Sequence, residues 1–225
     1  RPGGRVARRG RPKGLEELEA YARAGDVEAA EAGMRKLERT VSRKNHGRVL
    51  FNAVLEACAS IGDCESAQRL YAEMVHKNVQ LNATTFEILM RVGVKAGDVK
   101  AADLWLEEQH LAGFEAEAAT YGLLLELSAR QGAFAAADRW FGWAKGAGAE
   151  LGPGVFSGLV AAAAGQDDLT VAEKWLERAR GAGTTPDAAA FNAALAAAER
   201  RGDARTIRRW RAWAKEAGCL EAVSS

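Results

Sequence analysis

A 35-residue period runs through most of this 225-residue chain and limits what the chain can fold into. An aromatic side chain recurs at that interval in five copies: Phe51, Phe86, Tyr121, Phe156 and Phe191. A second series, in which Leu70 comes first, continues as Trp105, Trp140, Trp175 and Trp210. Self-similarity at a fixed period of about 20 to 50 residues is typical of arrays in which small units stack on their neighbours.

Each copy carries the apolar pattern of two helices. Phe51, Leu55 and Cys58 fall at i, i+4 and i+7, which places them on one face of a first helix. A second stripe of the same kind contains Ala102 and Trp105. Glycine recurs between the two helices and again after the second one, where it can end a helix in a left-handed conformation. Asp167 and Asn78 replace glycine once in each series: Gly62, Gly97, Gly132, Asp167, Gly202; and Asn78, Gly113, Gly148, Gly183, Gly218.

The period therefore predicts an all-α solenoid of tandem helix–turn–helix repeats. A single copy cannot bury its own apolar face, so the copies have to stack. The full copies are 48–82, 83–117, 118–152, 153–187 and 188–222. Residues 11–47 form a degenerate N-terminal repeat or cap that lacks the aromatic. We expect residues 1–10 to be a basic, flexible tail and residues 223–225 to be a short C-terminal tail.

The charge of the chain is unevenly distributed. Residues 1–13 contain six basic and no acidic residues, so a total net charge of +1 leaves 1 − 6 = −5 for the remainder. This start is compatible with the remnant of an organelle-targeting region, and equally with a disordered tail of no special role. The tail could contact nucleic acid or an acidic surface. No apolar run reaches the length of about 18 residues that a membrane span requires.

Cysteine and histidine usage argues against metal sites and disulfides. Cys58, Cys64 and Cys219 are odd in number and lack paired metal-ligand spacing, and the three histidines do not cluster with acids or cysteines. The glycine-rich stretch "AGAELGPG" lacks the strand context and the lysine of a nucleotide-binding loop. We therefore expect no metal, no cofactor and no enzymatic activity.

The period of 35, the seam "PDAAAFNAAL" and the pattern "AGD…A…W…AG" resemble pentatricopeptide repeats over roughly residues 11–222. The resemblance implies a right-handed superhelix that binds single-stranded RNA, with one repeat reading one base. It further implies a role in transcript processing, stability or translation. The expected location is a mitochondrion or chloroplast, where the protein would be soluble or peripherally attached to a complex.

The resemblance also implies which residues read bases, because in this family the fifth and last side chains of a repeat choose the base. The first full copy offers Asn52 with Asn82, which resembles a pyrimidine-preferring pair. The fourth offers Ser157 with Asp187, which resembles a purine-type pair for guanine. The fifth offers Asn192 opposite an alanine. The second and third copies offer only paired glutamates and paired glycines.

Basic residues recur near the end of the first helices, at Lys95, Arg130 and Arg200. They are candidates for contacts with RNA phosphates. Cations that favour the negative end of the helix dipole are the alternative interpretation.

Trp143 and Trp213 each replace a charged residue at one position of the second helix, so they predict an exposed apolar spot. Binding of a protein partner and packing under a local irregularity both remain open there.

The copy at 83–117 holds seven acids and three bases, which disfavours an RNA strand along the whole array. The alternative function is therefore that of a protein-scaffolding accessory subunit of a large organellar complex, such as a ribosome or a membrane, photosynthetic or respiratory assembly.

Overall fold

A computed structural model describes residues 14–39 and 46–219, and in these ranges all regular secondary structure is helical. The predicted tails and the end of the last repeat, with Ala222, lie outside the described residues. The helices are α1 (Leu15–Ala24), α2 (Val27–Glu38), α3 (His46–Ile61), α4 (Cys64–His76), α5 (Ala83–Ala96), α6 (Val99–Leu111), α7 (Ala118–Gln131), α8 (Phe134–Gly146), α9 (Pro153–Gly165), α10 (Leu169–Gly181), α11 (Ala188–Arg200) and α12 (Ala204–Glu216). The all-α repeat fold expected from the period is confirmed.

The chain divides into two compact units, an N-terminal unit of residues 1–115 and a C-terminal unit of residues 116–225. In the N-terminal unit, α3 packs between α1 and α5, and each of these first helices also contacts the second helix of its own hairpin. In the C-terminal unit, α9 packs in the same way between α7 and α11. Each unit is thus a stack of three helical hairpins whose first helices touch one another.

The periodic apolar side chains form the core of both units. The five first-helix aromatics are completely buried, and the four periodic tryptophans are at most 1% exposed. Cys58 is buried in the same layer, and this burial raises the pKa of its thiol to about 12. The thiol therefore stays protonated at neutral pH, as expected for a small core side chain rather than a reactive one.

Aspartates cap the second helices of most hairpins. In α4, the carboxylate of Asp63 accepts a hydrogen bond of 3.0 Å from the Ser66 N–H, and Asp26, Asp168 and Asp203 cap α2, α10 and α12 in the same way. Burial of Asp63 acts to raise its pKa, but the hydrogen bonds from Ser66 outweigh that effect, and the pKa lies below its ordinary value. The "GD" pairs of the sequence are thus the stop of one helix and the start of the next.

The turn after the first helix also sets how closely hairpins stack. Gly62 has a φ of 80°, and a Cβ placed on it would lie 2.9 Å from the Ala96 backbone nitrogen in the next hairpin. A side chain at this position would therefore be strained and would separate the two hairpins. Asn78 and Asp167, which replace glycine in the two series, take the same left-handed backbone, with φ values of 52° and 55°.

None of the helices in the described ranges combines the length and apolar character that crossing a membrane would require.

Candidate nucleic-acid interface

The predicted reading residues Asn52 and Asn82 are brought together at the seam between the first two full repeats. Asn82 is the N-cap of α5, and its Oδ1 accepts a hydrogen bond of 3.1 Å from the Thr85 N–H. The Thr85 Oγ1 lies 2.9 Å from Asn82 Oδ1 and 3.0 Å from Asn52 Oδ1. The Thr85 side chain is completely buried, whereas both asparagines are partly exposed. A buried hydroxyl thus connects two amides that face solvent.

The number of available hydrogens limits how Thr85 can bond to both asparagine amides. The Asn82 Oδ1 must be an oxygen, because it accepts from a backbone N–H. The Thr85 hydroxyl has a single hydrogen and cannot donate to two oxygens. All groups are satisfied when Thr85 donates to Asn82 and the Asn52 amide turns so that its Nδ2–H donates to Thr85. The seam then presents an oxygen of Asn52 and an NH₂ group of Asn82 as acceptor and donor for a base edge.

Ser157 and Asp187 also meet at a seam, but through the backbone. The Asp187 N–H donates to Ser157 Oγ at 2.8 Å, and the Asp187 carboxylate caps α11 by accepting from the Ala190 N–H at 2.8 Å. Ser157 is only 7% exposed, whereas Asp187 is exposed. The position that Thr85 occupies in the earlier repeat is held here by Ala190, so no side chain couples the pair. Asn192 lies exposed on α11.

The three phosphate-contact candidates lie in the last turns of their helices and are exposed, but they differ in their partners. Within the described ranges, Lys95 and Arg130 make no ion pair. Arg200 is engaged, since its Nε lies 3.0 Å from Asp167 Oδ1 and its Nη2 lies 3.2 Å from the Ala164 carbonyl. Lys95 and Arg130 are therefore the better placed of the three to meet a phosphate, and their contact with RNA stays a prediction.

Trp143 and Trp213 are half-buried rather than fully exposed. The Trp213 ring meets Phe191 edge to face at 5.8 Å between centroids, and the Arg180 guanidinium lies 5.6 Å from its centroid. Packing therefore accounts for part of this surface, and a protein interface there stays a prediction.

Strongly exposed apolar side chains lie instead on the second helices of the N-terminal unit. Leu111 is 82% exposed, and Val75 and Leu104 are each about half exposed. Leu104 and Leu111 are seven residues apart on α6 and share one face. Sequence reasoning missed this surface because each leucine continues an apolar helix pattern. The signal lay in a comparison of repeats, which carry arginine or lysine at the Leu104 position.

A series of ion pairs, here called the ion-pair ladder, links second helices of successive repeats. A cation at the twenty-second position of one repeat contacts an acid at the twenty-first position of the repeat before it. The pairs within the two units are Arg69–Glu31, Lys174–Asp138 and Arg209–Glu173. Gln68 and Leu104 occupy the same two positions in the repeats at 48–82 and 83–117. The ladder is therefore interrupted beside the exposed leucines.

The structure groups no three histidine, cysteine, aspartate or glutamate side chains in a way that could hold a metal ion, as far as its described residues extend.

Comparison with known proteins finds a match to a repeat family in part of the chain. Residues 46–95, which contain Asn52, Asn82 and Thr85, match the PPR repeat family. Two structures of the nuclear protein-only RNase P 2 (PRORP2) of Arabidopsis thaliana share 17% identity with this chain. Their TM-scores are 0.59 and 0.58, with 83% and 75% of this chain and 40% and 38% of theirs covered. The maize pentatricopeptide repeat protein PPR10 also shares 17% identity, with a TM-score of 0.45, and 92% of this chain and 34% of that one covered.

This chain thus spans less than half the length of these structures, and the likeness to PRORP2 shows a shared fold. A search of curated proteins gives no match.

Proposed function

We propose that this chain, whose helical hairpins are pentatricopeptide repeats, binds single-stranded RNA and acts without catalysis in transcript processing, stability or translation in an organelle. The contact of Asn52 and Asn82 through Thr85 carries the proposal. It places two amides from adjoining repeats beside each other, half-exposed and with donor and acceptor groups left over. It also lies within the segment that matches the PPR repeat family.

The chemistry of this seam suits a base edge. Single-stranded bases expose hydrogen-bonding edges that side chains can reach, and helical-repeat proteins assign two or three side chains to each base. Lys95 and Arg130 would add sequence-independent contacts with phosphates. The seam of Ser157 and Asp187 offers a second reading position with a hydroxyl hydrogen and a carboxylate.

Selection from a randomised pool of short single-stranded RNA tests the proposal. We expect the wild-type chain to enrich RNAs with a pyrimidine at one position, and the double variant N52A/N82A to lose that preference. One good contact is worth about 1–3 kcal/mol of discrimination. The variant Q68A, at an exposed position on a second helix, is the matched control and should enrich the same RNAs as the wild type.

The same selection with residues 1–13 removed distinguishes base-selective binding by the repeats from electrostatic attraction of RNA to the basic tail. Selective binding that persists without the tail, over a salt series, supports the proposal. An absence of selective binding in the wild type, or binding that disappears with the tail, contradicts it.

A second candidate function is that of a scaffolding accessory subunit in a large organellar assembly, such as a ribosome or a membrane, photosynthetic or respiratory complex. Leu104 and Leu111, which are exposed on one face of α6, favour it, because exposed apolar side chains that share a face commonly mark protein interfaces. Here the variant L104E/L111E should release the protein from co-sedimenting assemblies, with its helical content intact. The control L123E changes an exposed leucine on a first helix. Equal sedimentation of both variants and the wild type would count against the scaffold.

A further inference from the structure

The last helical hairpin carries a concentration of positive charge that base reading does not use. Residues 200–215 contain seven basic residues and one acid, Asp203. The basic residues are Arg200, Arg201, Arg205, Arg208, Arg209, Arg211 and Lys215. Five of them lie on α12: Arg205, Arg208, Arg209, Arg211 and Lys215.

The five basic residues of α12 are either paired with an acid or unpaired. Arg209 pairs with Glu173 in the ion-pair ladder, and Arg211 lies 2.7 Å from Glu199. Arg205, Arg208 and Lys215 are exposed and make no ion pair with any described residue. The only side-chain bond of Arg208 that the structure shows is to the Ala204 carbonyl of its own helix, at 3.2 Å.

The three unpaired cations share one face of α12. They are spaced by three and seven residues, and they lie opposite the buried Trp210 and Ala214. Side chains three or four residues apart on a helix have Cβ atoms about 5–6 Å apart. We call Arg205, Arg208 and Lys215 the outer basic face. The repeat before it holds Thr170 and Glu173 at the positions of the two arginines, so this face is particular to the last hairpin.

We propose that the outer basic face binds the phosphate backbone of single-stranded RNA, apart from the seams that read bases. The inference rests on the proposed function, because it takes RNA as the ligand. Its chemistry is that of a backbone contact, since guanidinium groups donate two parallel hydrogen bonds to phosphate oxygens. The contact would add affinity and would carry no sequence information.

The composition of the face distinguishes RNA from other polyanionic partners. The only apolar residue between Arg208 and Lys215 on this face is Ala212. A stable protein interface needs a dry apolar centre, and a helix that lies in a membrane surface needs large apolar side chains on its buried face. The outer basic face offers neither, whereas a phosphate backbone requires only cations and donors.

The salt dependence of RNA binding provides the test, with a matched pair of variants in one helix. R205Q/R208Q removes two unpaired arginines, and R209Q/R211Q removes two paired ones. Both variants change the net charge by the same amount, so a general electrostatic effect appears equally in both. The full chain is titrated with oligouridylate between about 50 mM and about 200 mM salt. Circular dichroism checks that both variants keep their helices.

We expect R205Q/R208Q to lower the slope of log affinity against log salt by about 1.4, since each contact with a single strand contributes about 0.7. R209Q/R211Q should keep a slope close to that of the wild type. The preference for oligouridylate over oligoadenylate should survive in both variants and should disappear in N52A/N82A.

The outcomes separate the two proposals. A wild type that binds no RNA overturns both. A wild type that binds RNA while both arginine variants have the same slope overturns this inference and leaves base reading intact. Binding of the wild type to vesicles with anionic lipids, lost only in R205Q/R208Q while RNA binding stays equal, would assign the face to a membrane and also overturns the inference.

Discussion

The two units share one hairpin architecture and differ in what their surfaces carry. Residues 14–115 contain 17 acids and 12 bases, whereas residues 116–225 contain 13 of each. The N-terminal unit has the coupled amides of Asn52 and Asn82, an interrupted ion-pair ladder and exposed leucines. The C-terminal unit has two ladder pairs, glycine at several seam positions and a basic last helix. Core positions thus fix the repeat, and surface positions vary independently of it.

The largest expected effect tests whether the two units unfold separately. Trp175→Ala removes a completely buried indole that meets Phe141 edge to face at 5.5 Å between centroids. We expect a loss of about 3–5 kcal/mol in the free energy of unfolding of the C-terminal unit, as for other large-to-small core changes. Amide hydrogen exchange measures the two units separately. Nearest-neighbour coupling in repeat arrays predicts a small change in α1–α4, and an equal loss in both units would refute independent unfolding.

The seam chemistry can be compared through two threonines. Thr85→Val removes the buried hydroxyl that joins Asn52 and Asn82. We expect a loss of about 1–2 kcal/mol in the free energy of unfolding, because the two partly exposed amides lose a hydrogen-bond partner. Thr120 holds the equivalent position one repeat later, but it is partly exposed there, and Glu87 and Glu117 stand in place of the two asparagines. Thr120→Val should therefore cost much less, and Thr85→Ser should restore most of the loss. Urea unfolding of the three variants measures the difference, and equal losses for both valine variants would disprove a special role of Thr85.

Alkaline pH should distinguish the units at one position of the second helix. Burial, followed by a 3.0 Å hydrogen bond to Glu108, raises the pKa of Tyr71 from 10.0 to about 12. The neutral phenol is thus favoured in the folded state, so its contribution is complete below pH 10 and is lost as the pH rises toward 12. In the C-terminal unit the corresponding residue of the repeat at 118–152 is Phe141, whose side chain has no ionisable group.

Because Tyr71 is half-exposed, we expect a loss of at most about 1 kcal/mol relative to Tyr71→Phe over this range. Urea unfolding at several alkaline pH values compares the two proteins. A constant difference between them would show that Tyr71 does not contribute to the pH dependence.

The smallest effect concerns the interrupted ladder. Q68E/L104R gives the N-terminal unit the charge pair found elsewhere, and we expect a gain of about 0.5 kcal/mol at low salt, typical of exposed pairs. The single changes complete a double-mutant cycle that isolates the pair from the effect of removing an exposed leucine. Thermal unfolding at low and high salt is the measurement. A gain that high salt does not reduce would show that it does not come from charge pairing.

The sequence was sufficient for the core and the turns, because both repeat at a fixed interval. The buried aromatics, the aspartate caps and the left-handed Asn78 and Asp167 could all be placed from the period and from helix-end chemistry. When one type of residue recurs at a fixed interval in four or more copies, its place in the repeat is well determined.

Contacts between repeats could not be placed in the same way. Asn82 can be recognised as a helix cap from its position, but the reach of Thr85 back to Asn52 depends on how closely α3 and α5 pack. The engagement of Arg200 by Asp167 likewise depends on the stacking of α9 and α11. Trp213 looked like a surface residue because its equivalents are charged, but its contact with Phe191 places it partly inside.

The ion-pair ladder has a consequence for how such an array can grow by tandem duplication of its gene segments. The repeat at 153–187 carries both an acid, Glu173, and a cation, Lys174, so two adjacent copies would complete a pair between them. The repeat at 48–82 carries Gln68 and Arg69, so its duplicate would find no acid to meet. A duplicate of the repeat at 153–187 would form the ion pair with its neighbour without further change. A duplicate of the repeat at 48–82 would need a compensating mutation to form one.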